Sequence, residues 1–156
     1  MNDTEFMREA LDICRQGIEF GQSPFGACIV ADDQIIARTH NRVWATTDPT
    51  AHAEVCCIRE ACTARGRVHL PECTIYSTTE PCPMCFSAIH WARIPRIVYA
   101  ATIDDARSFG FNELPISNVK LKEISGTKVE IVASPLRPEA LDLYRLWLSR
   151  RDRQAY

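Results

Sequence analysis

Residues 73–102 read CTIYSTTEPCPMCFSAIHWARIPRIVYAAT, and this stretch decides the fold. Its first seven residues, CTIYSTT, are rich in β-branched side chains and predict a strand. PMCFSAIHWAR follows as a short helix with Pro83 in its first turn, where a missing N–H costs nothing. RIVYAAT then predicts a second strand. Two strands joined through a helix form a parallel pair with a right-handed crossover.

The neighbouring segments extend this unit. FGACIVADDQIIARTH, residues 25–40, has two apolar runs around Asp32 and Asp33 and predicts a two-stranded hairpin. Residues 4–20 place Met7, Leu11, Cys14 and Ile18 at helical spacing, with Asn2, Asp3 or Thr4 as the N-cap. PTAHAEVCCIREACTARG reads as a helix stopped by Gly66. Residues 102–126 show no clear period and read as irregular. KVEIVAS predicts the last strand, and PEALDLYRLWLSRR a C-terminal helix with Leu141, Tyr144 and Leu148 on one side. The sum is an α/β chain with a mixed five-stranded sheet and helices on both faces.

Length and composition narrow the class. A chain of 156 residues, 46% apolar and 24% charged, suits one domain with a proper core. A net charge of −2 gives no general attraction to nucleic acid or to an anionic membrane. No apolar run has the length of a membrane span, and the N-terminal MNDTEFMREALDI is charged, unlike an export signal. The expected location is the cytoplasm. Eight cysteines in such a chain are therefore expected to be reduced thiols.

Cys82 and Cys85 stand three apart at the start of a predicted helix, so both thiols can face one ion. His52 and Glu54 stand at the start of another. His52 supplies a nitrogen ligand, and three protein ligands leave one tetrahedral position open, as in catalytic rather than structural zinc. Zinc lowers the pKa of a bound water to about 7. Glu54 is placed to take a proton from that water and return it, without ligating the metal. A redox pair is the competing reading of Cys-x-x-Cys. It expects the pair after the first strand of a βαβ unit, and here a helix, a hairpin and a helix come first. The remaining cysteines, Cys14, Cys28, Cys56, Cys57, Cys62 and Cys73, read as small apolar core residues. Cys56 lies one helical turn beyond His52, where ligation would close the open zinc position.

His-x-Glu followed by Pro-Cys-x-x-Cys is the signature of zinc nucleobase deaminases. HAEV and EPCPMC resemble the zinc-dependent cytidine/deoxycytidylate deaminase superfamily. Within it, PFGACIV, NRVWATTDPTAHAEVCCIREAC, EPCPMCFSAIHWARIPRIVYAA, GFNE and the terminal Tyr156 resemble bacterial guanine deaminases. The resemblance runs from about residue 3 to about residue 115 and then weakens. It implies a three-layer α/β/α sandwich and a homodimer. It implies one Zn2+ per subunit held by His52, Cys82 and Cys85, with Glu54 as proton shuttle. It also implies a single deaminase domain over residues 1–156, whose C-terminal helix 138–152 and tail 153–156 engage a neighbouring subunit.

If guanine is the substrate, hydroxide attacks C2, and the products are xanthine and ammonia. Backbone N–H groups at the two helix starts, those of Ala53 and Cys82, would face the site. Asn41 carries a donor and an acceptor suited to a purine edge, or serves as a turn residue after its strand. Phe25 and Trp91 would sandwich the base, or pack in the core. Glu113, in GFNE, occupies the place where the resembled enzymes carry an aspartate in GFDD, and Asn112 replaces the preceding acid. A carboxylate there would accept from guanine N–H groups or assist proton transfer at the amine. Tyr156 would close the pocket, or fray as a terminus.

Two other substrates fit the same zinc chemistry. A related 2-amino heterocycle such as an aminotriazine shares the N–C(NH2)–N edge. A tRNA adenosine deaminase shares the motif, and Arg145, Arg150, Arg151 and Arg153 would serve it on phosphates. Asp142 and Asp152 dilute that cluster, the pI near 6.1 is low for an RNA binder, and TIDDARSFGFNE stands where the RNA editors carry an RD-KTGA-like run. A small nucleobase is therefore expected over nucleic acid. A zinc-stabilised scaffold would leave Glu54 without a role.

Overall fold

The computed structural model describes residues 2–156. Helix α1, Asp3–Glu19, opens with a capping box: Asn2 accepts from the Glu5 N–H, and the Glu5 carboxylate accepts from the Asn2 N–H. Asn2 is thus the cap among the three candidates. Met7, Leu11, Cys14 and Ile18 are all buried along one face, as their spacing predicts.

Strands β1, Gly26–Ala31, and β2, Gln34–His40, form the expected antiparallel hairpin. Asp32 and Asp33 turn it with φ of 49° and 56°. Positive φ at both central residues matches the right-handed twist of the flanking strands, and Asp tolerates it well. After the single turn α2, Val43–Thr46, comes α3, Ala53–Arg65, closed by Gly66 at φ 62°. Strand β3, Thr74–Thr79, helix α4, Pro83–Trp91, and strand β4, Arg96–Ala101, form the parallel unit read from residues 73–102.

The sheet order is β2-β1-β3-β4-β5. β1 runs antiparallel to both neighbours, while β3, β4 and β5, Glu130–Ala133, are parallel. α1 packs with α7, Arg137–Ser149, and α3 packs with α4. The sheet lies between these pairs, in agreement with the mixed α/β/α expectation. Gly26 lets α1 sit directly on the sheet: a Cβ there would stand 2.4 Å from the Ala10 carbonyl oxygen.

Two readings need correction. Residues 102–126 are not simply irregular, because they hold α5, Ile103–Ser108, and α6, Asn118–Ser125. Helices of six and eight residues are too short to show a period. The buried face of α7 is Ala140, Leu143, Tyr144 and Trp147, and Leu148 is exposed. That face lies one residue round from the predicted stripe, so that Trp147 enters the core. Among the described residues, no helix is long and apolar enough to cross a membrane, and all eight cysteines are free thiols.

Candidate active site

The site forms where α3 and α4 begin, beside the end of β3. Asp48 fixes the approach to α3 by accepting from the Thr50 N–H and hydroxyl, at 2.8 and 2.7 Å. This turn leaves His52 as N-cap of α3 and Glu54 in its first turn. At the other helix Cys82 is the N-cap and Cys85 lies in the first turn. Strand β3 thus delivers Cys82 to the same point that the turn delivers His52.

Three potential metal-binding atoms converge there. His52 Nδ1 lies 3.6 Å from Cys82 Sγ and 3.5 Å from Cys85 Sγ. One ligand atom from each residue falls within 4.8 Å of the others. Tetrahedral zinc, with bonds of about 2.3 Å to sulfur and about 2.0 Å to nitrogen, holds such atoms about 3.5 Å apart. The residues present fit zinc in donor type and in spacing, with one position left open. Cys56 is not among them and packs instead with Val43, Ala51 and Tyr156.

Electrostatics link the cluster. The hydrogen bond from the Cys85 thiol pulls Cys82 far down, against its burial, with His52 assisting. Cys85 is pushed up as the donor in that pair and by its own burial. Burial pulls His52 down, but the Cys82 sulfur and the Glu54 carboxylate outweigh it and raise the imidazole. Zinc bound here would hold both thiols deprotonated.

Glu54 sits beside this group with only 6% of its surface exposed. Its Oε2 lies 3.5 Å from Cys85 Sγ, and its Oε1 accepts from the Ser77 hydroxyl at 2.9 Å. Burial, then the Cys82 charge, raises its pKa. A carboxyl tuned upward can both take and return a proton near neutral pH. Ser77 was not read from sequence. The signal available was a hydroxyl inside a strand whose residues after Thr74 are all buried, because such a group must find a partner.

Of the other predicted residues, Phe25, Glu113 and Tyr156 line the same inner space as His52, Glu54 and Cys82. Burial and the charges of Cys82 and Glu54 raise Glu113 to about 7. Asn41 is fully buried; its Oδ1 accepts from the Val43 N–H, and its Nδ2 donates to the Tyr156 hydroxyl. Tyr156 stands 5.4 Å from the His52 ring and 6.3 Å from Phe25 between centroids. Within the chain, the tail packs against residues beside the site. The Ser23 hydroxyl and the Trp44 indole N–H donate to the Gln154 carbonyl, and the Asn112 N–H donates to that of Tyr156. Ala53, buried at the first position of α3, accepts on its carbonyl from the Thr39 hydroxyl.

Trp91 is not brought to the site within the chain. It is the last residue of α4, 76% exposed, and borders a hollow with Phe86, Leu121 and Thr127. A rise of 1.5 Å per residue puts it roughly 13 Å along the helix from Cys82. It therefore cannot form a sandwich with Phe25 in the same chain.

Comparison with known proteins agrees with this geometry. Residues 1–101 match the family described as the cytidine and deoxycytidylate deaminase zinc-binding region. The chain is 46% identical over 114 residues to a guanine deaminase of Bacillus subtilis, covering 72% of this chain and 73% of that protein. It is 47% identical over 98 residues to a tRNA-specific adenosine deaminase of Agrobacterium fabrum, covering 63% and 64%. The solved guanine deaminase of Nitrosomonas europaea superposes with a TM-score of 0.87 at 26% identity, over 96% of this chain and 86% of that one. With three converging zinc donors and a buried carboxylate beside them, the chain belongs to the cytidine and deoxycytidylate deaminase family and is a zinc-dependent hydrolytic deaminase.

Proposed function

We propose that this deaminase converts guanine and water to xanthine and ammonia. The observation that carries the reading is the position of Glu54: buried against the His52, Cys82 and Cys85 cluster, yet outside it, and oriented by Ser77. His52 Nδ1, Cys82 Sγ and Cys85 Sγ would hold zinc, which when bound supplies a hydroxide nucleophile at neutral pH. Glu54 takes the proton released from water and places it on N3 as C2 is attacked. It then carries the second proton to the departing amine, so the C–N bond breaks as the new carbonyl forms. The N–H groups of Ala53 and Cys82 face the charge that develops in the transition state.

Guanine presents N1–H and N2–H donors on one edge, and Glu113 offers the matching acceptor. Asn41 would reach the base edge by exchanging its contact with the Tyr156 hydroxyl, and Phe25 supplies an apolar face. The acidic lining, with Glu54, Glu80 and Glu113 together, repels phosphate and favours a free base over a nucleic acid. On the C-terminal segment Arg145 pairs with Asp142 and Arg150 with Asp152, which weakens it as a phosphate surface. The reading takes residues 1–156 as one domain, acting in the cytoplasm as a homodimer. Exposed Trp91, Val119 and Ile124, on α4 and α6, supply apolar surface for that contact.

The test is ammonia release by the zinc-loaded protein on guanine, guanosine, adenine, cytosine, an aminotriazine and a tRNA anticodon stem-loop. Turnover of guanine with the stem-loop untouched is expected. Activity confined to the stem-loop would overturn the substrate and leave the zinc chemistry standing. Activity confined to the triazine would assign a different 2-amino heterocycle to the same residues.

A further inference from the structure

Glu80 is the one acid of the inner site that the reaction above does not use. It lies two residues before Cys82, and only 6% of its surface is exposed. Its N–H donates to the Ala101 carbonyl at 2.8 Å, which fixes its backbone to the end of β4. Its carboxylate bridges two helix starts. Oε2 accepts from the Ile103 N–H at 3.2 Å, and Oε1 accepts from the Asn118 N–H at 2.7 Å. These residues open α5 and α6, and their N–H groups have no acceptor within their own helices. Asn118 returns the contact: its side-chain Nδ2 donates to the Pro81 carbonyl at 2.6 Å.

The segment between those helices carries Phe111, Asn112 and Glu113. Phe111 packs 4.9 Å from Phe25, and the Asn112 N–H holds the Tyr156 carbonyl. One buried carboxylate thus ties the starts of the two helices that flank the Glu113 segment to the strand end that delivers Cys82. We propose that Glu80 is a positioning residue that holds Glu113 in register with the zinc ligands. The proposal rests on the role given to Glu113 above.

The geometry makes Glu80→Gln informative. Glutamine keeps the size but has one acceptor oxygen and an NH2 group, so one of the two N–H donors would meet another donor. One helix start is then released, while the backbone that carries Cys82 stays tied to Ala101. A misplacement of about 1 Å at a reacting group costs on the order of 100-fold in rate.

The experiment combines amide hydrogen exchange with a double-mutant cycle on the zinc-loaded protein. Glu80→Gln should bind zinc fully, speed exchange across residues 103–118, and lower kcat/KM on guanine by about 100-fold. In a Glu113→Ala background the same change should cost no more than about threefold, because nothing remains to position. Unchanged exchange across 103–118, or losses that simply multiply, would overturn the proposal. If Glu113→Ala alone retains full turnover, the role of Glu113 fails, and the exchange result still decides whether Glu80 holds the segment. Should Glu80→Gln fail to fold, Ile103→Pro removes one donor at a helix position that proline favours, and should reproduce the exchange change.

Discussion

Replacing Glu54 by Gln separates proton transfer from every other contribution of this residue. The two side chains have nearly the same shape. The glutamine oxygen can keep the Ser77 hydrogen bond, now 2.9 Å long, and its NH2 would face the Cys85 sulfur, now 3.5 Å away. In the zinc-loaded protein that sulfur is a thiolate and accepts such a donor. The variant should therefore bind zinc as the parent does. Its stability should not fall, because burial already raises Glu54 and a neutral amide relieves that cost. Proton transfer is another matter, since an amide at this position carries no exchangeable acid–base pair. General acid–base catalysis contributes about 10²- to 10⁴-fold, and in the proposed reaction Glu54 serves more than one transfer. A loss of at least about 1,000-fold in kcat is expected, or about 4 kcal/mol on the barrier. Three measurements on one preparation check this: zinc per chain, the thermal midpoint, and ammonia release with guanine. Turnover within tenfold of the parent, with zinc bound, would refute the proton-shuttle role. Loss of zinc would instead show that the carboxylate holds the ligand cluster together.

Chelation should abolish turnover, and added zinc should restore it. In the metal-free protein Cys82, whose thiol is pulled down by Cys85, should be alkylated fastest of the eight cysteines, and zinc should protect it; equal labelling with and without zinc would contradict the ligand set. Gly26→Ala places a Cβ 2.4 Å from the Ala10 carbonyl and 2.8 Å from Cys14 Cβ, so α1 must shift. The cost should be about 1–3 kcal/mol, seen as a midpoint lowered by about 2–4 °C per kcal/mol; an unchanged midpoint would show that α1 is not seated there. Asp105 accepts from Arg137 Nε and Nη2 and caps α5 at Thr102, and Arg137 foremost holds its pKa below the ordinary 3.8. A lowered folded pKa stabilises above about pH 4 and loses that contribution as pH falls through it. Asp105→Asn should thus be roughly 1 kcal/mol less stable at pH 7, with the gap closing below pH 4; a gap independent of pH would reject the ion pair as its source.

How much of this was legible in the sequence depends on the distance over which each feature is decided. The strand–helix–strand at 73–102 and the hairpin around Asp32 and Asp33 are local patterns, and the structure has both. The candidate zinc donors were legible for the same reason: each pair sits at a helix start that short-range spacing reveals, so only the meeting of the two starts had to be inferred. Trp91 lies away from the site of its own chain because its place depends on helix length rather than residue type, and nine residues of α4 carry it away from Cys82. The caps of α5 were present in the sequence as Thr102 and Asp105, but six residues offered no period to go with them. The contacts that close the site span far greater separations: Asn41 to Tyr156 across 115 residues, and Glu80 to Asn118 across 38. No local pattern encodes such pairings. Yet Glu80 left a trace, as an acid placed between a buried strand and a candidate zinc-donor cysteine, where burial obliges a carboxylate to find donors. Helix starts are the richest nearby source of backbone N–H groups. A buried acid just before a candidate zinc-donor cysteine therefore points to short helices close at hand, and residues 102–126, which hold α5 and α6, supply them.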